Sequence, residues 1–253
     1  MNNAQYICFE GTEGVGKTTQ VSKTIEYLTG LGKKVLETKE PGSPHSPITL
    51  ELRKFMLDSQ FETNSSLLIK KITTAIQDQE VTPTAKEWLN LSLQEITKNG
   101  KITNISRELI SQAIRNIHLN SVIKSAKKNY DYIIQDRGIL SGLSYGVANL
   151  VSENFMVEKN NKSVVESGLG QSFSDCYDLI IILKGNVKEG LKRAQAAKQE
   201  FKNGDVMENK GSSFLEVVDS NFIKYEAQFK KTVSLQVMGK SIEEISKEIQ
   251  LLL

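Results

Sequence analysis

Short apolar runs recur along the chain at Tyr6 to Phe9, Val35 to Leu36, Tyr132 to Ile134, Leu179 to Leu183 and Val233 to Val237. Each is too short for a helix and is bounded by polar or turn-forming residues, so each reads as a buried strand. Helical spacing of apolar positions separates them, which predicts parallel strands joined by crossovers and covered on both faces. The expected class is α/β, with three layers and a five-stranded parallel sheet. The first helix is predicted from Lys17 to about Gly30, where Gly30 and Gly32 stop it. A second carries Ile48, Leu52, Phe55 and Met56 on one face. From Ile102 to Asn129, residues Ile105, Leu109, Ile110, Ile114, Ile117, Val122 and Ile123 give one long helix or two in series. Ser241 and Glu244 have capping-box spacing ahead of Ile242, Ile245 and Ile249, so a last amphipathic helix closes the fold. Residues from about 57 to 104 are polar and poorly patterned, with Trp88, Leu89 and Leu91 anchoring one helix. No repeat, low-complexity tract or linker divides the chain, and 1–253 is read as one domain.

One stretch carries chemistry. Gly11 to Thr19 reads GTEGVGKTT, two glycines five apart followed by Lys17 and the hydroxyl residue Thr18. It stands where a predicted strand turns into a predicted helix, the context a phosphate-binding loop requires. There Gly11, Thr12, Glu13, Gly14, Val15, Gly16, Lys17, Thr18 and Thr19 can wrap a polyphosphate with backbone N–H groups and the helix dipole. Lys17 reaches the β and γ oxygens, and Thr18 offers its hydroxyl to Mg²⁺. A Gly-rich turn that binds nothing is the bland alternative, and the flanking strand and helix weigh against it. Asp136 and Arg137 follow the third strand, at the edge of a parallel sheet where ligands bind.

Composition narrows the picture only slightly. With 39% hydrophobic and 25% charged residues the chain is an ordinary globular one. Its 32 Lys and Arg against 30 Asp and Glu create no basic field, so neither a nucleic-acid nor a membrane partner is expected. Cys8 and Cys176 lack ligand-spaced partners and read as free thiols. Without a basic leader or 18 apolar residues in a row, the reading is cytoplasmic.

The ordered motifs resemble the thymidylate kinases, a branch of the P-loop nucleoside monophosphate kinases. GTEGVGKTT is similar to their G-x-E-G-x-G-K-T-T, including the acidic Glu13. Lys39 to Pro44 is similar to R-E-P-G-G-T, and Arg53 matches the arginine of the helix that follows. RNIHLNSVIK, Arg115 to Lys124, resembles R-A-Q-H-V-x-x-V-I-K. DRGILSGLSY, Asp136 to Tyr145, resembles D-R-Y-x-x-S-x-x-A-Y, and Gly190 to Ala194 the G-L-x-R-A helix before the lid. The resemblance implies a P-loop NTPase fold with a lid at about 195–210, and ATP and Mg²⁺ as cofactors. It implies phosphoryl transfer to a deoxynucleoside monophosphate, with thymidylate leading, and a homodimer through apolar faces of helices such as the one holding Arg115.

By the same resemblance Lys17, Glu13, Asp136 and Arg137 are the catalytic set, and Arg193 lies against the donor adenine. Glu40, Pro41, Arg53, Ser111, Arg115, Ser141, Gly142 and Tyr145 join Asp136 and Arg137 around the acceptor. A monophosphate is already an anion, its second pKa being about 6, so the reaction needs charge neutralisation and alignment more than a base. Arginine's bidentate fork suits that task.

The chain departs from the family in two places. No arginine follows Arg193, leaving Lys198 and Lys202 as lid substitutes. Ser111 stands where thymine stacks on phenylalanine, while Gly138, Gly142 and Gly146 replace larger residues, so an enlarged, permissive base pocket is expected. Two other readings compete. A deoxynucleoside kinase would use Glu40 as base, and other nucleoside monophosphates remain open as acceptors. A ParA-like switch ATPase would need a lysine at Thr12.

Overall fold

The computed structural model describes residues 3–57, 65–152, 176–197, 206–229 and 231–253. Five parallel strands, β1 (Gln5–Glu10), β2 (Val35–Lys39), β3 (Tyr132–Asp136), β4 (Leu179–Lys184) and β5 (Thr232–Gln236), lie in the order β2-β3-β1-β4-β5. All five predicted runs are strands, each shifted or lengthened by a few residues. Strand β1 is central because its run has no polar face. Tyr6 and Cys8 enter one core and Ile7 and Phe9 the other, all nearly inaccessible to water.

The helices are α1 (Lys17–Gly30), α2 (Pro47–Leu57), α3 (Ser65–Gln77), α4 (Pro83–Asn99), α5 (Asn104–His118), α6 (Lys124–Asn129), α7 (Ile139–Ser152), α8 (Val187–Ala197), α9 (Val206–Asn209), α10 (Gly211–Glu226) and α11 (Ile242–Gln250). On one sheet face α6, α7 and α10 bury Ala126, Leu143, Val147, Leu215, Val218 and Phe222 against Tyr6, Ile133 and Ile180. The opposite face receives Val21 and Leu28 of α1 and Ile245 and Ile249 of α11. Ser241 and Glu244 form the expected capping box.

A third core contains no strand. The polar stretch resolves into α3 and α4, whose Leu68, Ile72, Ala75, Ala85, Leu89 and Ile96 pack on α2 and α5. Thr82 caps α4 through the Ala85 N–H, with Pro83 in the first turn, and Gly100 ends it at φ +65°. Leu89 is buried as the anchor, whereas Leu91 is 40% exposed. From α5 this core receives Ile110, Ala113, Ile114 and Ile117, each 0% exposed. The face assigned to a homodimer is therefore covered by the chain's own helices. The predicted long helix is interrupted by a π turn, Leu119–Ile123, between α5 and α6. The extra residue absorbs the five-residue step from Ile117 to Val122.

Strand register sets the site. Phe9 and Lys39 both lie opposite Asp136, so β1, β2 and β3 end in one row. The Arg137 N–H donates to Phe9 O at 2.8 Å and the Glu40 N–H to Asp136 O at 3.0 Å, extending the ladder to the residues just beyond each strand.

Candidate active site

The loop between β1 and α1 turns through Gly11, Gly14 and Gly16 at φ +135°, +66° and +96°, conformations glycine adopts without penalty. At Gly14 a Cβ would lie 1.9 Å from Gly190 O, so the loop is pressed against the first turn of α8. Lys17 is buried beneath it, with Nζ donating to Thr12 O at 2.6 Å. Burial, with the Arg137 charge second, lowers the Lys17 pKa to about 8. Thr18 Oγ1 donates to Asp136 Oδ2 at 2.8 Å, while the buried Asp136 Oδ1 has no hydrogen-bond partner among the described residues. That pair, a hydroxyl beside a carboxylate with a spare buried oxygen, has the hard oxygen donors that suit Mg²⁺. Among the described residues no cluster of three or more His, Cys, Asp or Glu forms a metal site of its own.

Arg137 occupies the left-handed region at φ +62°, a strained conformation of the kind found at functional sites. Its Nη2 donates to Glu13 Oε1 at 2.8 Å, and Nη1 to Gly11 O at 3.1 Å and Ser141 Oγ at 3.2 Å. The guanidinium also lies over the Tyr145 ring, 5.2 Å from its centroid, and the Tyr145 hydroxyl donates to the other oxygen of Glu13. Burial pushes the Glu13 pKa up, but Arg137 and Lys17 outweigh it and hold the carboxyl below its usual range. Behind this group the fully buried Glu10 accepts from the N–H groups of Gly138 and Ser141 and from the Ser141 hydroxyl. Glu10 thereby fixes the turn that aims Arg137. The sequence reading missed it.

A cleft with about 740 Å³ of unfilled space, partly open to solvent, is lined by Glu13, Glu40, Pro41, Arg53, Ser111, Arg115, Arg137, Ser141, Gly142 and Tyr145. All of the expected acceptor residues except Asp136 thus meet in one place. A second cleft along the β2 edge shares Glu40, Arg53 and Arg137 with it and opens on Thr18 and Asp136. Arg53 is seated because Gly42, at φ +82°, has no side chain; a Cβ there would lie 2.8 Å from Arg53 Cδ. Arg193 lies exposed on α8, outside both clefts, three residues past the contact with the loop. Lys198 and Lys202 lie outside the described residues.

Glu40 is engaged on both oxygens. Arg115 Nε donates to one at 2.8 Å, and His118 Nδ1 lies 3.3 Å from the other. Burial would raise its pKa, but Arg115 and His118 outweigh burial and lower it. His118 Nε2 in turn meets Thr38 Oγ1 at 2.9 Å. A carboxylate held this way is a poor proton acceptor, which removes the base that a deoxynucleoside kinase reading required.

The glycines expected to leave room are in fact filled from the opposite wall. A Cβ on Gly142 would meet Arg115 Nη2 at 2.3 Å, and one on Gly146 would meet Glu108 Oε2 at 2.6 Å. On Gly138 it would meet Tyr177 Oη at 2.5 Å. Glu108, Arg107, Asn149 and Met207 also line the cleft and escaped the sequence reading as site residues. Burial raises the Glu108 pKa, with Arg115 and Gln112 opposing.

Curated sequences resembling this one are thymidylate kinases along almost its whole length. That of Caldicellulosiruptor saccharolyticus is 24% identical, over 97% of this chain and 94% of its own. That of Prochlorococcus marinus is 28% identical over the same shares. The chain is a relative of the thymidylate kinases. No protein-family model matches it. Two solved thymidylate kinases share its fold. The Candida albicans enzyme, whose structure is described as revealing the origin of broad substrate specificity and a novel structural element, superposes at TM-score 0.59 with 18% identity, over 99% of this chain and 91% of its own. The Ehrlichia chaffeensis thymidylate kinase does so at 0.56 with 16% identity, over 99% and 98%. The fold is accordingly the P-loop α/β fold expected from the motifs. Among the described residues no helix is long and apolar enough to cross a membrane.

Proposed function

We propose that the protein transfers the γ-phosphoryl group of ATP to thymidylate, giving ADP and thymidine diphosphate. The observation that carries this reading is the junction of the two clefts at Glu40, Arg53 and Arg137, one cleft reaching Thr18 and Asp136 and the other Tyr145 and Ser111. An acceptor phosphate held there by Arg53 and Arg137 faces a donor held by the loop, the arrangement in-line transfer needs. An acceptor oxygen attacks the γ phosphorus as the bond to the β-bridging oxygen breaks. Lys17 and Arg137 neutralise the charge that spreads over the transferring group, and Glu13 orients Arg137. Thr18 and Asp136 would hold Mg²⁺, which supplies further charge neutralisation when bound. Arg193 is assigned to the donor adenine.

Thymidylate as the acceptor rests on the relatives' shared name. The locked Glu40 supports a phosphate acceptor over a hydroxyl one, since only the hydroxyl needs a base. The test is a panel of nucleosides and nucleoside monophosphates with ATP and Mg²⁺, scored for the phosphorylated product. Thymidylate is expected to be converted and thymidine left unchanged. Conversion of nucleosides alone would overturn the reading.

A further inference from the structure

Helices α5 and α7 meet face to face along the cleft. On α7, Gly142 and Gly146 are one turn apart and so share a face. On α5, Glu108, Ser111, Gln112 and Arg115 share another. The two notches on α7 are filled by the two charged ends of the α5 group, Arg115 at Gly142 and Glu108 at Gly146. Between them Gln112 acts as a spacer. Its Nε2 donates to Glu108 Oε1 at 2.7 Å, and its Oε1 lies 3.5 Å from Arg115 Nη1. Gln112 is 5% exposed, and its amide is committed at both ends. Arg115 is likewise committed through Nε to Glu40. Glu108 differs, because among the described residues its Oε1 alone has such a partner, while the side chain lines the cleft beside Asn149 and Ser111. The polar groups missing from α7 have thus been moved to α5.

We propose that Glu108 reads the acceptor base, its carboxylate accepting a hydrogen bond from a ring N–H that lies next to a carbonyl. The inference rests on the proposed kinase reading and adds the residue that selects the substrate. A guanidinium only donates and a carboxylate only accepts, so the Arg115 and Glu108 couple has a fixed polarity. Thymine and uracil match it, with the C4 carbonyl toward Arg115 and N3–H toward Glu108. Cytosine in the same pose turns its amino group to the guanidinium and its bare ring nitrogen to the carboxylate, and both contacts repel. A base that donates to Glu108 also favours the charged form of the carboxyl. The 5-position takes no part in this contact, so the contact treats thymine and uracil alike while excluding cytosine. A buried polar group left unpaired by the wrong ligand is what lets a hydrogen-bonding site discriminate strongly.

The experiment compares kcat/KM for dTMP, dUMP and dCMP in the wild type, Glu108→Gln and Glu108→Ala, with the KM for ATP measured alongside. The wild type is expected to prefer dTMP and dUMP over dCMP by about 10²-fold or more, within the range that hydrogen-bonding pockets reach. Glu108→Gln keeps the shape, but its amide can present either an acceptor or a donor. It is expected to cut that ratio by about tenfold or more with the ATP KM unchanged, and Glu108→Ala to cut it through loss on dTMP. Equal wild-type kcat/KM for dTMP and dCMP would overturn the inference without any variant. So would an unchanged ratio in an active variant, which would leave the kinase reading standing. A wild type that phosphorylates no pyrimidine monophosphate would remove both.

Discussion

Lys17 is held under its own loop at an electrostatic cost, and the cost has a measurable sign. Its folded pKa of about 8 lies below the ordinary 10.5, because burial and the Arg137 charge disfavour the ammonium. Between those two values the free fold binds fewer protons at this residue than the unfolded chain, so Lys17 favours folding as pH rises through that window. A polyphosphate needs the charged form and restores the proton. Calorimetry in buffers of different ionisation heat is expected to show proton uptake when MgATP binds at about pH 9 and almost none at about pH 7, with ATP affinity falling above about pH 8. Lys17→Ala is expected to lose about 10²-fold or more in kcat without a fall in melting temperature, since a preorganised charge contact at the transferring group is worth that much. Arg137 belongs to the other substrate. Arg137→Ala is expected to lower kcat/KM for the monophosphate by about 10²-fold with a much smaller change in the ATP KM. A selective loss of ATP affinity would place Arg137 on the donor instead.

At the scale of elements, the contact between Gly14 and Gly190 fastens the phosphate loop to α8, the helix that bears Arg193. A Cβ on Gly190 would lie 2.3 Å from Glu13 O, a backbone atom that cannot swing aside. Gly190→Ala is therefore expected to raise the ATP KM by about tenfold or more, since overpacking of about 1 to 3 kcal/mol falls on the donor side. What could be read from sequence follows the same division. The strands and α1 were legible because their apolar runs and glycine turns are local signals. The row of Glu40, Asp136 and Arg137 was legible because parallel strands end together. Helices α3 and α4 were obscured because their apolar residues spread beyond one clean stripe, Leu67, Ile69 and Ile76 flanking Leu68, Ile72 and Ala75 in the first and Trp88 and Leu93 flanking Ala85, Leu89 and Ile96 in the second. Glu108 could not have been found, since nothing local separates it from a solvated helix glutamate. Its position is decided by the absence of a side chain at Gly146, on another helix. The same blindness made the three glycines look like empty space, when the fold gives that space to Arg115, Glu108 and Tyr177.

At the scale of the molecule, three cores among the described residues divide the work. Two clamp the sheet and hold the loop and Arg137, while the third, built from α2 to α5, holds Arg53, Glu108, Ser111 and Arg115 over the cleft. The acceptor wall thus stands on the helices of the long segment, and the face of α5 that the resemblance would have used between two subunits is buried inside one. Sedimentation at micromolar concentration is expected to give a single chain, and a stable dimer would show that another surface is used. The covered face also has a meaning in mass action. An interface made between molecules is lost on dilution, whereas one made within a chain is unimolecular and carries no concentration term. Specific activity and melting temperature are accordingly expected to stay constant over about a hundredfold range of protein concentration, so this site can be assembled even where the protein is scarce.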